Sequence, residues 1–306
     1  VAGHASEVFF HYKKNGSIAI KDNGRGIPID FHPKFKNKRA LEIVLSTLHA
    51  GGKFDSNSYK TSGGLHGVGI SVVNALSSSL EVTVFKNSKK YSQTYSKGKA
   101  KTKIKIEKCK KNEKGTEIIF IPDETIFETT KFSPKKLYDF IKMKAVLVSG
   151  TSIDFKIDKE LIIDSTPNYE KFHFKNGIAD FLDIKNKNTA KLFDKQFSII
   201  KNINDNEKCE IFISFNQNEK SSLISFCNTI ETPDGGSHEN GFKNGILKAI
   251  KLYGQKNQVS KFSLNTYDGI IIGVGHNKFK SMGIDYIKSL CKINHVIFDL
   301  KSFATD

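Results

Sequence analysis

Two glycine-rich turns, each lying between regular elements, constrain this sequence more than any other feature. The first is Asp22-Asn-Gly-Arg-Gly-Ile-Pro28, which follows a strand-like segment and cannot continue it. The second is Ser62–Ile70, which has four glycines within seven residues and leads into an apolar helical segment. Glycines let a ligand approach the backbone, and a helix N-terminus attracts anions, so the pair predicts a pocket for a flat heterocycle with phosphates. A tight turn or a flexible loop explains either turn when it is taken singly.

The composition limits the class of protein. The 306 residues are 38% hydrophobic and 26% charged, which is typical of a soluble globular protein of about two domains. The four cysteines lie far apart and form no CxxC pair, which excludes a cysteine-rich zinc site and fits reduced thiols in the cytoplasm. No apolar stretch is long enough to span a bilayer, so no membrane association is expected.

The net charge of +16 raises nucleic acid as a partner. All but two of the basic residues are lysines, and Asn, Ile and Phe are also abundant along the chain. We interpret the lysines as scattered over solvated strand edges and turns, Lys101–Lys114 included, rather than as one basic patch. Charge alone therefore leaves a DNA-binding role open without favouring it.

Local patterns predict an α+β fold for the first part of the chain. Helical periodicity is clear in Arg39–His49 and in Pro134–Leu147, for which Ser133 is a plausible N-cap. Alternation predicts strands at Val8–Tyr12, Ser17–Lys21, Leu80–Phe85, Tyr91–Ser96, Thr102–Ile106 and Thr116–Ile121. These elements predict an antiparallel sheet with helices on one face.

Three domains are predicted along the chain. A polar break at Asn186–Asn188 marks the end of the first domain, residues 1–187. Residues 188–264 follow, with short strands and a helix at Gly241–Tyr253. Residues 265–306 differ from the rest, because two nearly unbroken apolar strands flank one helix, which indicates a βαβ tail.

A third short signal, Gly115-Thr116, completes an ordered set of motifs. The order Asp-x-Gly-x-Gly, glycine loop with helix, then Gly-Thr resembles the nucleotide pocket of the GHKL ATPases. These include the B subunits of gyrase and topoisomerase IV, the Hsp90 chaperones, the mismatch-repair protein MutL and the histidine kinases. Longer strings, at Asp22–Pro28, Thr47–Phe54 and Ser62–Ser77, narrow the resemblance to the B subunits of bacterial type IIA DNA topoisomerases.

The second part of the chain carries the same resemblance. Thr232-Pro-Asp-Gly-Gly-Ser-His-Glu-Asn-Gly-Phe242 resembles the transducer domain of that family, and its surroundings look closer to topoisomerase IV than to gyrase. The resemblance therefore implies a GHKL-type ATPase sandwich, followed by a partial ribosomal-S5-like transducer domain and the short βαβ tail. The tail itself, in Tyr267–His276 and Val296–Lys301, resembles the C-terminal domain of nucleotide-sugar dehydrogenases.

Residue roles follow from the resemblance, position by position. Asp22 is expected to bind the adenine amino group, and Thr116 to lie behind it and hydrogen-bond toward the adenine through water. Gly26 and Ile27 are expected to line the base, while a lid and the glycine loop cover the phosphates. The ATP-binding residues implied in this way are Asp22, Gly24, Gly26, Ile27, Lys53, Tyr59, Gly64, Leu65, His66, Gly67, Val68, Gly69, Ile70 and Thr116.

The family also implies cofactors and partners. ATP and Mg²⁺ are the expected cofactors, and DNA and the A subunit of the topoisomerase are the expected partners. ATP-dependent homodimerisation and a cytoplasmic location are expected as well. The implied activity is that of an ATP-hydrolysing type II topoisomerase, which relaxes supercoils and decatenates DNA.

This chain departs from the family pattern at catalytic positions. In the family, the glutamate that activates water and the asparagine that holds magnesium lie just upstream of the segment matching Val1–Ala5. The lysine of a Gln-Thr-Lys loop in the transducer has no counterpart after Ala249 either. We therefore expect a chain truncated at its N-terminus, with no catalytic residue, no metal ligand and no ATP hydrolysis by itself.

Three interpretations remain open. The first is the ATP-binding clamp portion of a type II topoisomerase. The second is a truncated or fused remnant that at most binds ATP. The third is a non-enzymatic DNA-binding module that depends on the positive charge.

Overall fold

The computed structural model describes residues 4–32, 35–48, 67–204, 207–217, 222–256, 267–272 and 277–299. The chain forms two compact units, Val1–Asp180 and Phe181–Asp306. The strands of the first unit are β1 (Glu7–Tyr12), β2 (Ile18–Asp22), β3 (Phe31–His32), β4 (Phe35–Arg39), β5 (Ser77–Lys86), β6 (Lys89–Ser96), β7 (Lys99–Ala100), β8 (Lys105–Lys108), β9 (Gly115–Pro122), β10 (Ser152–Ile157) and β11 (Tyr169–His173). Its helices are α1 (Ala40–Ser46), α2 (Gly69–Ala75) and α3 (Pro134–Leu147), and α4 (Ile178–Lys185) spans the division between the units.

A mixed sheet forms the frame of the first unit. Within the described residues it has nine strands, in the order β11-β10-β1-β2-β9-β5-β6-β7, with β8 pairing with the other half of β6. All neighbours are antiparallel except β1 and β10, which run parallel. The sequence predicted an antiparallel sheet, and the parallel pairing of β10, a strand that was not predicted at all, is the exception. A parallel pair needs a long crossover, and no local pattern shows where such a strand returns.

The core lies between the sheet and the two helices that flank the glycine-rich region. Leu80, Val82 and Val84 alternate along β5 and point to the face that Leu41 and Leu45 of α1 cover. All five side chains are fully buried. Burying one such side chain stabilises the fold by about 1.5–3 kcal/mol, so this layer fixes how α1 sits on the central strands.

The second unit contains small sheets and two longer helices. Its elements are β12 (Phe197–Asn202), β13 (Lys208–Ile213), β14 (Phe226–Cys227), β15 (Ile230–Glu231), α5 (Ser237–Lys256), β16 (Tyr267–Ile272), α6 (Asn277–Ser289) and β17 (Cys291–Asp299). β12 pairs with β13 and β14 with β15, both antiparallel. β16 and β17 are parallel and joined through α6, which confirms the predicted βαβ arrangement.

Acid should weaken the first unit through Asp158. Its carboxylate bonds to His11 Nε2 at 2.7 Å and accepts the backbone N–H of Lys14 at 2.8 Å, which joins β1 to the end of β10. The hydrogen bond from His11 is the larger cause that lowers the pKa of Asp158. A carboxyl whose folded pKa lies below its unfolded value of about 3.9 stabilises the fold above that value. The contribution is lost as the pH falls through the folded pKa.

Urea unfolding of Asp158→Asn and the parent across the acid range tests this. We expect the variant to unfold at lower urea than the parent at pH 7, and the two midpoints to converge as the pH falls below about 4. Asp30→Asn removes an exposed carboxylate from the same unit and serves as the matched control. A gap between Asp158→Asn and the parent that stays constant with pH would contradict the assignment.

Candidate functional site

The Asp22 corner is formed where β2 ends. Asp22 Oδ1 accepts the backbone N–H of Gly24 at 2.7 Å, which turns the chain sharply out of the sheet. Asn23 fixes the turn from the other side, because its Oδ1 accepts the N–H groups of Ser6 and Glu7 at 2.9 and 3.1 Å. No described residue donates to Asp22 Oδ2, so one carboxylate oxygen remains available at the corner.

Three glycines let neighbouring backbone segments meet at this corner. Gly26 has φ +73° and Gly115 has φ +114°, both disfavoured for other residues. A Cβ on Gly115 would overlap the carbonyl oxygen of Asp22 and lie 2.7 Å from its carbonyl carbon. A Cβ on Gly26 would lie 2.9 Å from Val84 Cγ1, and one on Gly24 would lie 2.8 Å from Asp22 Oδ1. The corner therefore depends on glycine at each position.

Thr116 joins the corner to the central strand of the sheet. It is buried at the start of β9, where it pairs with Val84, and its Oγ1 accepts the backbone N–H of Ile27 at 3.1 Å. This contact was not foreseen from the sequence, which gave Thr116 only a role toward the base. A hydroxyl accepts and donates at once, so the Thr116 proton remains available to a second partner.

The end of the glycine loop is held against the same core as the corner. α2 begins at Gly69 after Gly67 and Val68, and Ile70 packs on the cluster that also receives Ile27. Asn74 anchors this short helix, because its fully buried Nδ2 donates to the Leu45 carbonyl at 2.9 Å. The residues that follow the corner and those that end the loop thus share one packed layer.

The nine predicted site residues that the structure describes form two groups. Asp22, Gly24, Gly26, Ile27 and Thr116 meet at the corner. Gly67, Val68, Gly69 and Ile70 lie at the start of α2. Lys53, Tyr59, Gly64, Leu65 and His66 lie outside the described residues. Asn23 and Asn74 support the site but were not singled out from the sequence, since an Asn gives no signal until its packing is known.

The corner suits a nucleobase better than it suits a metal ion. The Asp22 carboxylate and the Thr116 hydroxyl lie beside two glycines, Gly24 and Gly26. A flat ring can approach the backbone where Cβ atoms are absent, and its amino group can donate to the carboxylate. Over the described part of the chain, no cluster of three His, Cys, Asp or Glu side chains could hold a metal ion. We therefore assign no described residue to magnesium.

Comparisons with known proteins agree with this geometry. Residues 2–126 match the family model of the histidine kinase-, DNA gyrase B- and HSP90-like ATPases, and residues 177–271 match that of DNA gyrase B. The B subunit of DNA topoisomerase 4 from Rickettsia felis is 47% identical over 258 residues, which cover 83% of this chain and 39% of that protein. The B subunit of DNA gyrase from Campylobacter jejuni is 40% identical over 270 residues, which cover 88% and 34%.

Over most of its length, the chain is homologous to the B subunits of topoisomerase IV and DNA gyrase.

Solved structures of that family share the fold. The 43K ATPase domain of Thermus thermophilus gyrase B, in complex with an aminocoumarin, has a TM-score of 0.70 at 29% identity; the match covers 86% of this chain and 65% of that chain. The ATP-binding domain of Francisella tularensis topoisomerase IV, in complex with a small-molecule inhibitor, has a TM-score of 0.63 at 28% identity, with 86% and 68% covered. These matches confirm the GHKL-type α+β fold.

The extent of the family match adds two facts. The chain spans about two fifths of the length of the topoisomerase IV B subunits that it matches. The DNA gyrase B match ends at residue 271, which is seven residues into the segment predicted as a separate tail.

Over the described residues, no helix combines the length and the apolar character that a membrane crossing needs.

Proposed function

We propose that this chain is the ATP-binding clamp portion of a type II DNA topoisomerase, closer to topoisomerase IV than to gyrase. One observation carries the proposal: the Asp22 corner, closed by Gly115 and Thr116, lies within the residues that match the ATPase family. The proposed domains are 1–187 for ATP binding, 188–264 for a partial transducer and 265–306 for the tail.

In the proposed binding, the two carboxylate oxygens of Asp22 have different roles. Oδ1 is engaged by Gly24 and holds the turn, so Oδ2 is the oxygen that accepts a hydrogen from the adenine amino group. The Thr116 hydroxyl, which accepts from Ile27, donates its hydrogen toward the ring through water. Gly24 and Gly26 let the ring lie against the backbone, and Gly67–Ile70 lie where the phosphates extend.

The activity of the complete protein is a further proposal, supported by the family. It comprises Mg²⁺-dependent ATP hydrolysis, homodimerisation on ATP, partnership with the A subunit and DNA, and relaxation or decatenation of DNA in the cytoplasm. The resemblance implies that the family glutamate and asparagine lie upstream of the segment that matches Val1–Ala5. For this polypeptide by itself we therefore propose nucleotide binding without turnover.

Asp22→Asn tests the proposed site with little damage to the fold. The amide oxygen of Asn still accepts the Gly24 N–H, while the amide nitrogen presents hydrogens to a base amino group that needs an acceptor. A mismatch of this kind costs about 1–3 kcal/mol, or roughly 5- to 150-fold in affinity. Titration calorimetry with a non-hydrolysable ATP analogue measures the difference between the parent and the variant.

Asp30→Asn is the matched control, because it removes the same charge from an exposed position on the same segment. It should bind the analogue as the parent does. Equal affinities for Asp22→Asn and Asp30→Asn would remove Asp22 from the site. No binding by any of the three proteins would overturn the proposed function for this chain.

A further inference from the structure

Lysines are concentrated in one stretch at the edge of the sheet. Twelve of the 46 lysines lie within residues 86–114, which are 29 of the 306 residues, and only two acidic residues lie among them. This stretch contains the end of β5, all of β6, β7 and β8, and the turns that join them. The interpretation of the lysines as scattered therefore does not hold for this part of the chain. We call residues 86–114 the basic edge.

The strand register places several of these lysines side by side. Lys86 pairs directly with Lys89 across β5 and β6, and Lys89 pairs with Lys108 across β6 and β8. Neighbouring strands are about 4.8 Å apart, so three ammonium groups start from adjacent positions in one row. Like charges directly opposite one another destabilise a sheet, and an anion lying across the row would remove that repulsion.

The two acidic residues of the basic edge leave most of its lysines unneutralised. Glu107 pairs with both Lys90 and Lys105, and Glu113 pairs with Lys21 on β2. Lys99, Lys101, Lys103 and Lys108 are exposed, and no described acidic side chain forms an ion pair with any of them. These lysines hold a net positive charge at the surface rather than a network of ion pairs.

We propose that the basic edge binds the phosphate backbone of duplex DNA. β6 has eight residues and is about 26 Å long, a length over which duplex DNA presents one negative charge per about 1.7 Å. Long lysine side chains on an exposed edge reach such charges without a shaped pocket. Contacts of this kind position DNA without reading its sequence, so the edge binds DNA of any sequence. The inference rests on the proposed function, in which DNA is a partner, and it identifies the surface of this chain that contacts the DNA.

A charge-matched pair of variants of the whole 306-residue chain tests the edge. The edge variant carries Lys99→Gln, Lys101→Gln, Lys103→Gln and Lys108→Gln. The control variant carries Lys14→Gln, Lys136→Gln, Lys159→Gln and Lys175→Gln, which are exposed lysines of the same unit outside the basic edge. Both variants lose four positive charges. Fluorescence anisotropy with a labelled 20-base-pair duplex, at 50 to 200 mM KCl, measures affinity and its salt dependence.

We expect the edge variant to lose at least about tenfold in affinity, and its log–log salt slope to fall by about two or more, since each phosphate contact contributes about 0.9. The control variant should stay within about threefold of the parent. Equal losses in both variants would overturn the inference, because net charge alone would then explain binding. Absence of DNA binding by the parent would overturn it as well.

Nucleotide binding separates this inference from the proposed function. The edge variant should bind the ATP analogue as the parent does, because none of its four lysines lies at the Asp22 corner. If the parent binds DNA through the edge and fails to bind the analogue, the proposed function fails and the edge stands. If the edge variant does not fold, Lys101→Glu with Lys103→Glu, in the irregular segment between β7 and β8, gives the same test.

Discussion

Gly115→Ala should unfold the corner where β2 meets β9, at a cost of about 4 kcal/mol or more in the free energy of unfolding. The new Cβ would overlap the carbonyl oxygen of Asp22 and lie 2.7 Å from its carbonyl carbon, and both atoms belong to a backbone that cannot rotate away. The φ of +114° adds strain for any residue with a side chain. The two strands must separate, and ATP-analogue binding should be lost with them.

Gly16→Ala separates backbone strain from this overlap. Gly16 lies in the turn at the other end of β2 with φ +82°, and nothing lies within 4 Å of where its Cβ would be. Gly16→Ala should lower the free energy of unfolding by only about 1–2 kcal/mol, the cost of a left-handed conformation in a residue with a side chain. Urea unfolding of both variants gives the comparison. Equal losses would mean that the Asp22 backbone moves aside freely, which would contradict its close approach to Gly115.

Features that depend on neighbouring residues were predicted well. α3 occupies Pro134–Leu147 as expected, because Ser133 accepts the Lys136 N–H and Pro134 opens the first turn. The Asp22 turn also follows from local chemistry, since an Asp before Gly24 closes an Asx turn by itself. Such signals need no knowledge of what packs around them, so the sequence alone carries them.

Features that depend on distant partners were missed. β10 lies beside β1 although about 145 residues separate Glu7 from its partner Ser152. Only the last two residues of the predicted strand Thr102–Ile106 lie in a strand, β8, because the chain leaves β6 after β7 and pairs with it again in a shifted register. The hydrogen bond from Ile27 to Thr116 likewise joins segments 89 residues apart. The spacing of apolar residues indicates which face of an element is buried, but it does not indicate which other element packs against that face.

Asn74 shows how the site depends on such a distant contact. Its side chain is fully buried in α2 and donates to the Leu45 carbonyl in α1, and its backbone carbonyl accepts the N–H of Gly98. One residue thus holds the helix that follows the glycine loop against two other segments. Nothing in the run Ser71-Val-Val-Asn74 distinguishes this amide from a solvated one. The neighbours that give it a role come from other parts of the chain.

Asn74→Asp should destabilise the first unit by about 3–5 kcal/mol at neutral pH. A carboxylate has no hydrogen to donate to the Leu45 carbonyl, and burial leaves its charge uncompensated. The folded pKa of the introduced carboxyl is therefore raised above the unfolded value of about 3.9. The penalty is small below the unfolded pKa, where the neutral acid can still donate, and it grows as the pH rises toward the folded pKa.

Urea unfolding of Asn74→Asp and the parent, at about pH 4 and at pH 7.5, measures this penalty as the difference between the two proteins. The difference should be large at pH 7.5 and small at the lower pH, and ATP-analogue binding should weaken with it because α2 loses its anchor. Asn87→Asp is the matched control: it makes the same change at an exposed turn residue with φ +54°, a conformation that Asp tolerates. That variant should stay within about 0.5 kcal/mol of the parent at both values. A loss in Asn74→Asp that does not change with pH would show that the carboxylate reaches water, and the Leu45 contact would then not be what holds α2 in place.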